Sequence, residues 1–448
     1  MRKSVGTLTM AALLLAAAVA YGAEGPTEGS LPYDRFETTE TCADCHSEIA
    51  RQHARSLMAQ SFTHEWDEIE YFELALPHAL KNEKVAGVKS GCNGCHAPLA
   101  YLAGDIPPKH PSEGTRANEG VSCDVCHSIT GFSGDVPFNF NYTMAPGTAK
   151  QGTRPGMESE YHEIAVNEFL ASGEFCGICH NEKDPFGVWV KATHLEWKEG
   201  PYARAGITCQ KCHMPPADGT LSDGGPEVKG VRRHTFHGVH FPEKLNGAVE
   251  VLLYPRESSV ATGGAIVVDA TVMNAKAGHM IPSGSAEERV VWMHVEATDS
   301  GGRKWHLPVD RKGFEGEDWT IADPAVLSYQ DLGEIRGIAK FPGLARDGDV
   351  PAGDRIFRMP YLDPAGRMTI AQWNTASLGP DYRLPPLQAI GETFTWQLPP
   401  GVAKGETTIR ATVYMTRVVS SVVDYMKIPA TEKEPTVMGQ TEVTLLVR

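Results

Sequence analysis

The sequence has few basic residues, no cysteine beyond Cys212 and no long apolar run after its first 23 residues. Lys and Arg number 41 against 56 for Asp and Glu, which gives a formal net charge of -15. Because so acidic a surface repels phosphate backbones, we expect no nucleic-acid partner. With 448 residues, 41% of them hydrophobic, the chain is long enough for two or three globular domains and is neither fibrous nor disordered.

The first 23 residues have the pattern of a secretory signal peptide. Arg2 and Lys3 form a basic start, residues 8–19 are apolar, and small residues follow at 18–23. A retained membrane anchor is the alternative, although the apolar run is short for a membrane span. We therefore expect an exported protein, periplasmic or extracellular, with no transmembrane anchor after cleavage.

All ten cysteines fall in five copies of the motif C-x-x-C-H. The cysteines are Cys42, Cys45, Cys92, Cys95, Cys123, Cys126, Cys176, Cys179, Cys209 and Cys212, and the histidines that follow each pair are His46, His96, His127, His180 and His213. Each cysteine pair can bond to the two vinyl groups of one haem, and the next residue can place an imidazole on the iron. Zinc ribbons and redox dithiols also use paired cysteines, but neither requires a histidine after every pair. The pattern predicts five covalently bound haem c groups, with the cysteines as attachment sites and the histidines as proximal iron ligands.

Long and short intervals alternate between the motifs. Successive first cysteines lie 50, 31, 53 and 33 residues apart. This alternation indicates a duplicated two-haem module, over about residues 90–130 and 174–215, preceded by a single haem. Convergence under the motif itself is the alternative. If the duplication is real, each module is expected to hold two porphyrins in close contact.

Histidines are also in surplus outside the motifs. Of the other 12 histidines, nine lie before residue 245. Two imidazoles on each iron would leave no vacant position, which favours electron transfer, whereas an open iron favours small-molecule chemistry. In the second half, His279 lies in a predicted turn between strands, where it is either a distal ligand offered to the haem region or an ordinary surface residue.

Several segments resemble a known family. Residues 42–62 (CADCHSEIARQHARSLMAQSF) and the phrases EGVSCDVCHSI, EFCGICHNE and CQKCHMP are similar to multihaem cytochromes c related to the tetrahaem carrier that partners hydroxylamine oxidoreductase. This resemblance covers residues from about 40 to about 215. The phrases HTFHGVHFPEKL and NAKAGHMIPSG further resemble a branch in which a β domain follows the haem domain.

The resemblance also implies distal ligands. In the family, a distal histidine typically stands twelve residues after the first proximal one, but Met58 occupies that position here. Methionine ligation would raise the haem potential, and a packed core methionine is the alternative. The resemblance further points to His162, His234 and His240 as distal candidates.

The expected fold is α+β. Residues 24–245 should form a loop-rich, mainly helical pentahaem domain, with the clearest helices over residues 42–61 and 160–171. Seven period-two stretches between residues 249 and 447 predict a second domain, residues 246–448, folded as an antiparallel immunoglobulin-like β-sandwich with an excursion near residues 310–350.

Two functions fit these features. The first is a secreted electron carrier between a respiratory donor and a periplasmic or extracellular acceptor, whose redox partner protein presents a basic docking face to this acidic chain. The second is a multihaem oxidoreductase that acts on a small nitrogen or sulfur compound at one open-coordinated haem. The histidine surplus favours the non-catalytic carrier.

Overall fold

The computed structural model describes residues 25–317, 319–327, 330–344 and 349–448. The predicted signal peptide, residues 1–23, lies outside these ranges. The fold is α+β as expected, with a helical N-terminal region followed by a sheet-rich C-terminal region. Among the described residues, no helix combines the length and apolar character that a membrane crossing requires.

The helices of the N-terminal region are short and carry the motifs. They are α1 (Thr39–Ala43), α2 (Ser47–Ala54), α3 (Glu65–Ile69), α4 (Leu76–Ala79), α5 (Val88–His96), α6 (Pro98–Ala103), α7 (Cys123–Cys126), α8 (Gly173–His180), α9 (Thr193–Glu199), α10 (Pro201–Arg204), α11 (Cys209–His213) and α12 (Pro242–Leu245). Four two-stranded sheets lie between them. Their strands are β1 (Ile129–Phe132), β2 (Tyr142–Met144), β3 (Ala149–Gly152), β4 (Glu163–Val166), β5 (Asn181–Lys183), β6 (Trp189–Ala192), β7 (Pro216–Thr220) and β8 (Glu227–Arg232).

Both helices expected in this region differ from the prediction. The helix over residues 42–61 is interrupted, because His46 has a non-helical backbone (φ -114°, ψ 42°) between α1 and α2. The segment 160–171 is not one helix, because β4 pairs in parallel with β3 and only Glu168–Ala171 forms a 3-10 turn. In the second place, the pairing of β4 with β3 replaces the predicted helix.

The C-terminal region contains all seven predicted strands. Its strands are β9 (Val249–Pro255), β10 (Ser259–Val260), β11 (Ala265–Asn274), β12 (Val290–Thr298), β13 (Lys304–His306), β14 (Arg355–Phe357), β15 (Tyr361–Leu362), β16 (Ser377–Leu378), β17 (Ala389–Gln397), β18 (Gly405–Thr416) and β19 (Thr436–Val447), and its helices are α13 (Pro324–Leu327), α14 (Gly333–Arg336) and α15 (Ser420–Met426). One sheet has the order β17-β11-β9, and the other has β10-β19-β18-β12-β13, with β14 also on β12. The pairing is antiparallel except that β10 runs parallel to β19.

The two sheets bury one shared core between them. Alternate residues of β9 and β11 are buried, as period two requires when one face of a strand packs inward. Val251 and Val268 from one sheet join Val295 and Val413 from the other in a single hydrophobic cluster.

A second cluster crosses between the two regions. Trp66 and Leu74 from the N-terminal region pack with Val290 and Trp292 of β12 and with Val422 of α15. The predicted boundary at residues 245 and 246 falls between α12 and β9, so the two regions are joined by a short connection and by this buried contact.

Candidate haem-attachment site

Each motif places its three reactive residues on or beside one short helix. The second, fourth and fifth motifs close α5, α8 and α11, which end at His96, His180 and His213. The third motif fills α7, and His127 follows directly. Because positions i, i+3 and i+4 share one face of a helix, the two thiols and the imidazole project to the same side.

All five motifs open into one continuous cavity of about 2200 Å³. Its walls include every one of the ten cysteines and all five histidines that follow them. None of the ten cysteines, all of which lie within the described residues, forms a disulfide. Since a single small-molecule pocket has about 300–1,000 Å³, this volume suits several macrocycles. The residues present therefore fit covalently attached haem.

The imidazoles of four motifs are oriented by backbone carbonyls. The Nδ1 atoms of His46, His96, His127 and His213 lie 2.6 to 2.8 Å from the carbonyl oxygens of Leu221, Ser61, Gln151 and His237 respectively. Donation from Nδ1 selects the tautomer that leaves the Nε2 lone pair free for a metal. Burial lowers the pKa of His180 and of His213 to about 4, so both rings stay neutral, as a metal ligand must.

Two of the predicted distal histidines face a motif histidine at an iron-spanning distance. The ring centres of His46 and His162 are 6.3 Å apart, and so are those of His127 and His234. A metal–imidazole nitrogen bond is about 2 Å, and the ring centre lies about 1 Å further, so two ligands on one metal have ring centres about 6 Å apart. Both pairs therefore have room for one iron.

The other three distal candidates occupy different surroundings. His279 lines the cavity and interacts electrostatically with both His180 and His213, so the sheet-rich region contributes an imidazole there. Met58 lines the cavity and also packs against the core cluster of the N-terminal region. His240 borders the cavity, but its Nε2 lies 3.1 Å from Glu432 Oε2.

Glu432 belongs to a charged group that joins the two regions. Its carboxylate contacts His240, His64 and Arg417. Burial opposes a charge on His64, yet Asp67, which accepts a hydrogen bond from this ring, and the nearby Glu432 carboxylate outweigh this effect and raise the pKa of His64 to about 10. This ion network leaves Glu432 fully compensated by positive partners.

Two further histidines were not among the distal candidates. His53 and His194 are both buried and line the cavity, and His53 Nδ1 and His194 Nε2 have no hydrogen-bond partner. A buried imidazole nitrogen without a partner is costly unless another group binds it. Only the general surplus of histidines signals these two residues in the sequence.

Thiol contacts order the five attachment sites in space. The thiol of Cys42 lies beside that of Cys123, and the thiol of Cys176 lies beside that of Cys209. A third contact joins Cys95 to Cys179. The contact between Cys176 and Cys209 lies within one predicted module, whereas the thiols of the other module, residues 90–130, contact the first and fourth motifs instead.

Comparison with known proteins agrees with this arrangement. Residues 41–128 match the family model of cytochrome c554 and c-prime, which supports covalently bound haem c. No curated protein matches the chain significantly. The crystal structure of AvmM, which catalyses macrocyclization in alchivemycin A biosynthesis, has 12% identity over 45% of this chain and 89% of that chain, but its TM-score of 0.19 carries no argument.

A much stronger structural similarity spans nearly the whole molecule. The crystal structure of a penta-heme cytochrome c552 from Thermochromatium tepidum superposes with a TM-score of 0.61 at 19% identity, covering 92% of this chain and 100% of that chain. The chain thus has the overall fold of this penta-heme cytochrome, and its residues 41–128 are similar to the cytochrome c554 and c-prime family.

Proposed function

We propose that this chain is an exported pentahaem cytochrome c that carries single electrons between a respiratory donor and a periplasmic or extracellular acceptor. The observation that carries the proposal is the convergence of five C-x-x-C-H motifs on one cavity. The family match over residues 41–128 also supports kinship with the tetrahaem carriers that partner hydroxylamine oxidoreductase.

Haem c, when bound, supplies an iron that gains or loses one electron. The chain's own groups attach it, orient it and set its surroundings. The cysteine thiols hold each macrocycle, and each motif histidine offers Nε2 to the iron while a backbone carbonyl fixes its ring in four of the five motifs. His162 and His234 are proposed as the second ligands opposite His46 and His127, and His279 opposite His180 or His213.

The proximity of these thiols supports a proposed path between the attachment sites. The contacts of Cys95 with Cys179 and of Cys176 with Cys209 both involve the fourth motif. Cys126 of the third motif also acts electrostatically on Cys176. The fourth attachment site is therefore proposed as the centre of the chain of haems, with the first site reached through Cys42 and Cys123.

The charge of the chain supports a basic partner. The net charge is -15, and haem propionates would make it more negative. This charge favours a redox partner with Lys and Arg around its own cofactor. Such docking is steered by long-range electrostatics, so its rate should fall steeply as ionic strength rises.

One observation favours the alternative of an oxidoreductase. His240, one of the expected distal ligands, is engaged by a carboxylate, since its Nε2 lies 3.1 Å from Glu432 Oε2. An iron without a strong second ligand would accept a small nitrogen or sulfur compound.

The deciding experiment joins intact mass with carbon monoxide difference spectra of the reduced, purified protein. Five haems by mass and no carbon monoxide response support the carrier. A carbon monoxide response equivalent to one haem would favour the oxidoreductase. A mass corresponding to no covalent haem would contradict both functions.

A further inference from the structure

Three polar residues meet on the outer side of the larger sheet, away from the haem-attachment cavity. They are His294 in β12, His306 at the end of β13, and Asp354 directly before β14. β12 pairs with β13 through Glu296–Thr298 and with β14 through Val291–Met293. His294 therefore lies at the point where one neighbouring strand replaces the other, and the three side chains converge there.

Asp354 is the centre of this cluster. Its Oδ1 lies 3.0 Å from His294 Nδ1 and 2.7 Å from His306 Nε2, and its Oδ2 lies 3.0 Å from the same His294 nitrogen. Gly353 determines the backbone path that leads into Asp354. It has φ +100°, and a Cβ there would lie 2.6 Å from Pro308 Cβ. The backbone thus presents the carboxylate to both imidazoles.

Any positive charge beside Asp354 comes from histidines. Asp354 is fully buried, and the described ion-pair partners of its carboxylate are two histidines, with no Lys or Arg among them. The nearby Lys304 is engaged by Glu296. Burial of a carboxylate is expensive without a compensating positive charge. Glu432 in the other histidine cluster differs, because Arg417 pairs with it at 2.9 Å.

The donor set has the chemistry of an open zinc site. The candidate ligand atoms of all three residues lie within 4.8 Å of one another. Two imidazole nitrogens and one carboxylate oxygen suit Zn²⁺, which binds such ligands at about 2.0–2.2 Å and takes water in its fourth position, whereas Ca²⁺ and Mg²⁺ prefer oxygen alone. The side chains of His294 and His306 are 22% and 32% exposed, so an ion and a water can enter.

We propose that His294, His306 and Asp354 bind one Zn²⁺ ion in the sheet-rich region, independently of the haems. The two rings lie 5.0 Å apart and within 11° of parallel. His294 Nδ1 and His306 Nε2 both face Asp354 Oδ1, so binding requires these two nitrogens to give up their hydrogen bonds to the carboxylate and offer their lone pairs to the metal. The bound ion would link β13 and β14 across the gap at His294 and give Asp354 a positive charge that does not depend on a histidine proton.

The test measures Zn²⁺ binding to the haem-loaded full-length protein after chelator treatment and dialysis. Calorimetric titration with zinc chloride, with zinc counted by mass spectrometry, is applied to wild type, Asp354→Asn and His306→Gln. Because loss of an outer partner of a metal ligand already costs 10–100-fold in affinity, loss of a ligand should weaken this site by at least about 100-fold. One zinc per chain is expected to disappear in both variants.

Two controls make the result decisive. Glu432→Gln alters the other histidine cluster and should leave zinc binding unchanged. The partly exposed His306 provides a variant that should fold even if the buried Asp354 tolerates no change, and haem content with circular dichroism checks folding. The proposal is overturned if wild type binds no zinc, if both variants bind it as wild type does, or if only Glu432→Gln loses it.

Discussion

The imidazole rings of His127 and His234 lie 6.3 Å apart and within 25° of parallel, although 107 positions separate them in the chain. His127 Nδ1 faces the carbonyl oxygen of Gln151, and His234 Nδ1 faces that of Arg232. Each ring is thus held through its Nδ1 atom, which leaves both Nε2 atoms for an iron between the two rings. Burial also lowers the pKa of His234 to about 4, which keeps it neutral.

This relationship predicts the effect of His234→Ala. Removal of the ring should leave the haem on Cys123 and Cys126 attached but open one coordination position on its iron. We expect the reduced variant to gain a carbon monoxide difference band equivalent to one haem, at unchanged haem content. His110→Ala is the matched control, because His110 is 45% exposed and bonded to Glu68 outside the cavity. An identical response from both variants would show that His234 is not a ligand of this iron.

Part of this site is visible in the sequence and part is not. The proposed attachment residues follow from the repeated C-x-x-C-H spacing alone. Strand positions such as Val249–Pro255 follow from period-two burial, and the structure confirms them. His53 gives no such signal, since its role depends on Val121, 68 residues away, which binds Nε2 and leaves Nδ1 toward the cavity. The interrupted helix at His46 is likewise a tertiary effect.

The glycine inside the fourth motif is predicted to be required for packing. A Cβ at Gly177 would lie 2.7 Å from His194 Cγ and 2.8 Å from Pro137 Cγ. Gly177→Ala should therefore lower the free energy of unfolding by about 1–3 kcal/mol, as overpacking does. Gly391 in β17 does not line the cavity and has nothing within 4 Å of its Cβ position, so Gly391→Ala should stabilise by about 0.4–1 kcal/mol. Denaturant unfolding of the haem-loaded variants measures both, and equal effects would contradict the contact.

The buried ion pair between Arg355 and Glu392 is predicted to be far more sensitive than an exposed one. Both side chains are 1% exposed, with Nε and Oε1 2.8 Å apart. Glu392→Gln leaves the guanidinium buried without its charge partner and should cost about 3–5 kcal/mol of unfolding free energy. The cross-strand pair of Arg410 and Glu442 is about half exposed, so Glu442→Gln should cost at most about 1 kcal/mol. Chemical denaturation compares the two, and similar losses would refute the argument.

Buried carboxyl groups predict a pH dependence of stability. Burial, with Glu288 nearby, raises the pKa of Glu287 from 4.5 to about 8. The folded state then holds a proton that the unfolded state has released, so this contribution is full below pH 4.5 and is lost as pH rises toward 8. Glu287→Gln should therefore flatten the fall in unfolding free energy between pH 5 and 8. The exposed Glu442→Gln should retain the wild-type slope, and an unchanged slope in Glu287→Gln would contradict the assignment.

Removal of haem is predicted to affect the two regions differently. The N-terminal region forms most of the wall of a cavity of about 2200 Å³, and protein interiors do not sustain voids of that size without a filling group. The sheets β9–β11–β17 and β12–β18–β19 instead share their own hydrophobic core. Protein produced without haem attachment should exchange its amide hydrogens rapidly over residues 25–245 and slowly in β11, β12 and β18. Slow exchange throughout α5, α8 and α11 in that protein would mean that the motif helices fold without haem.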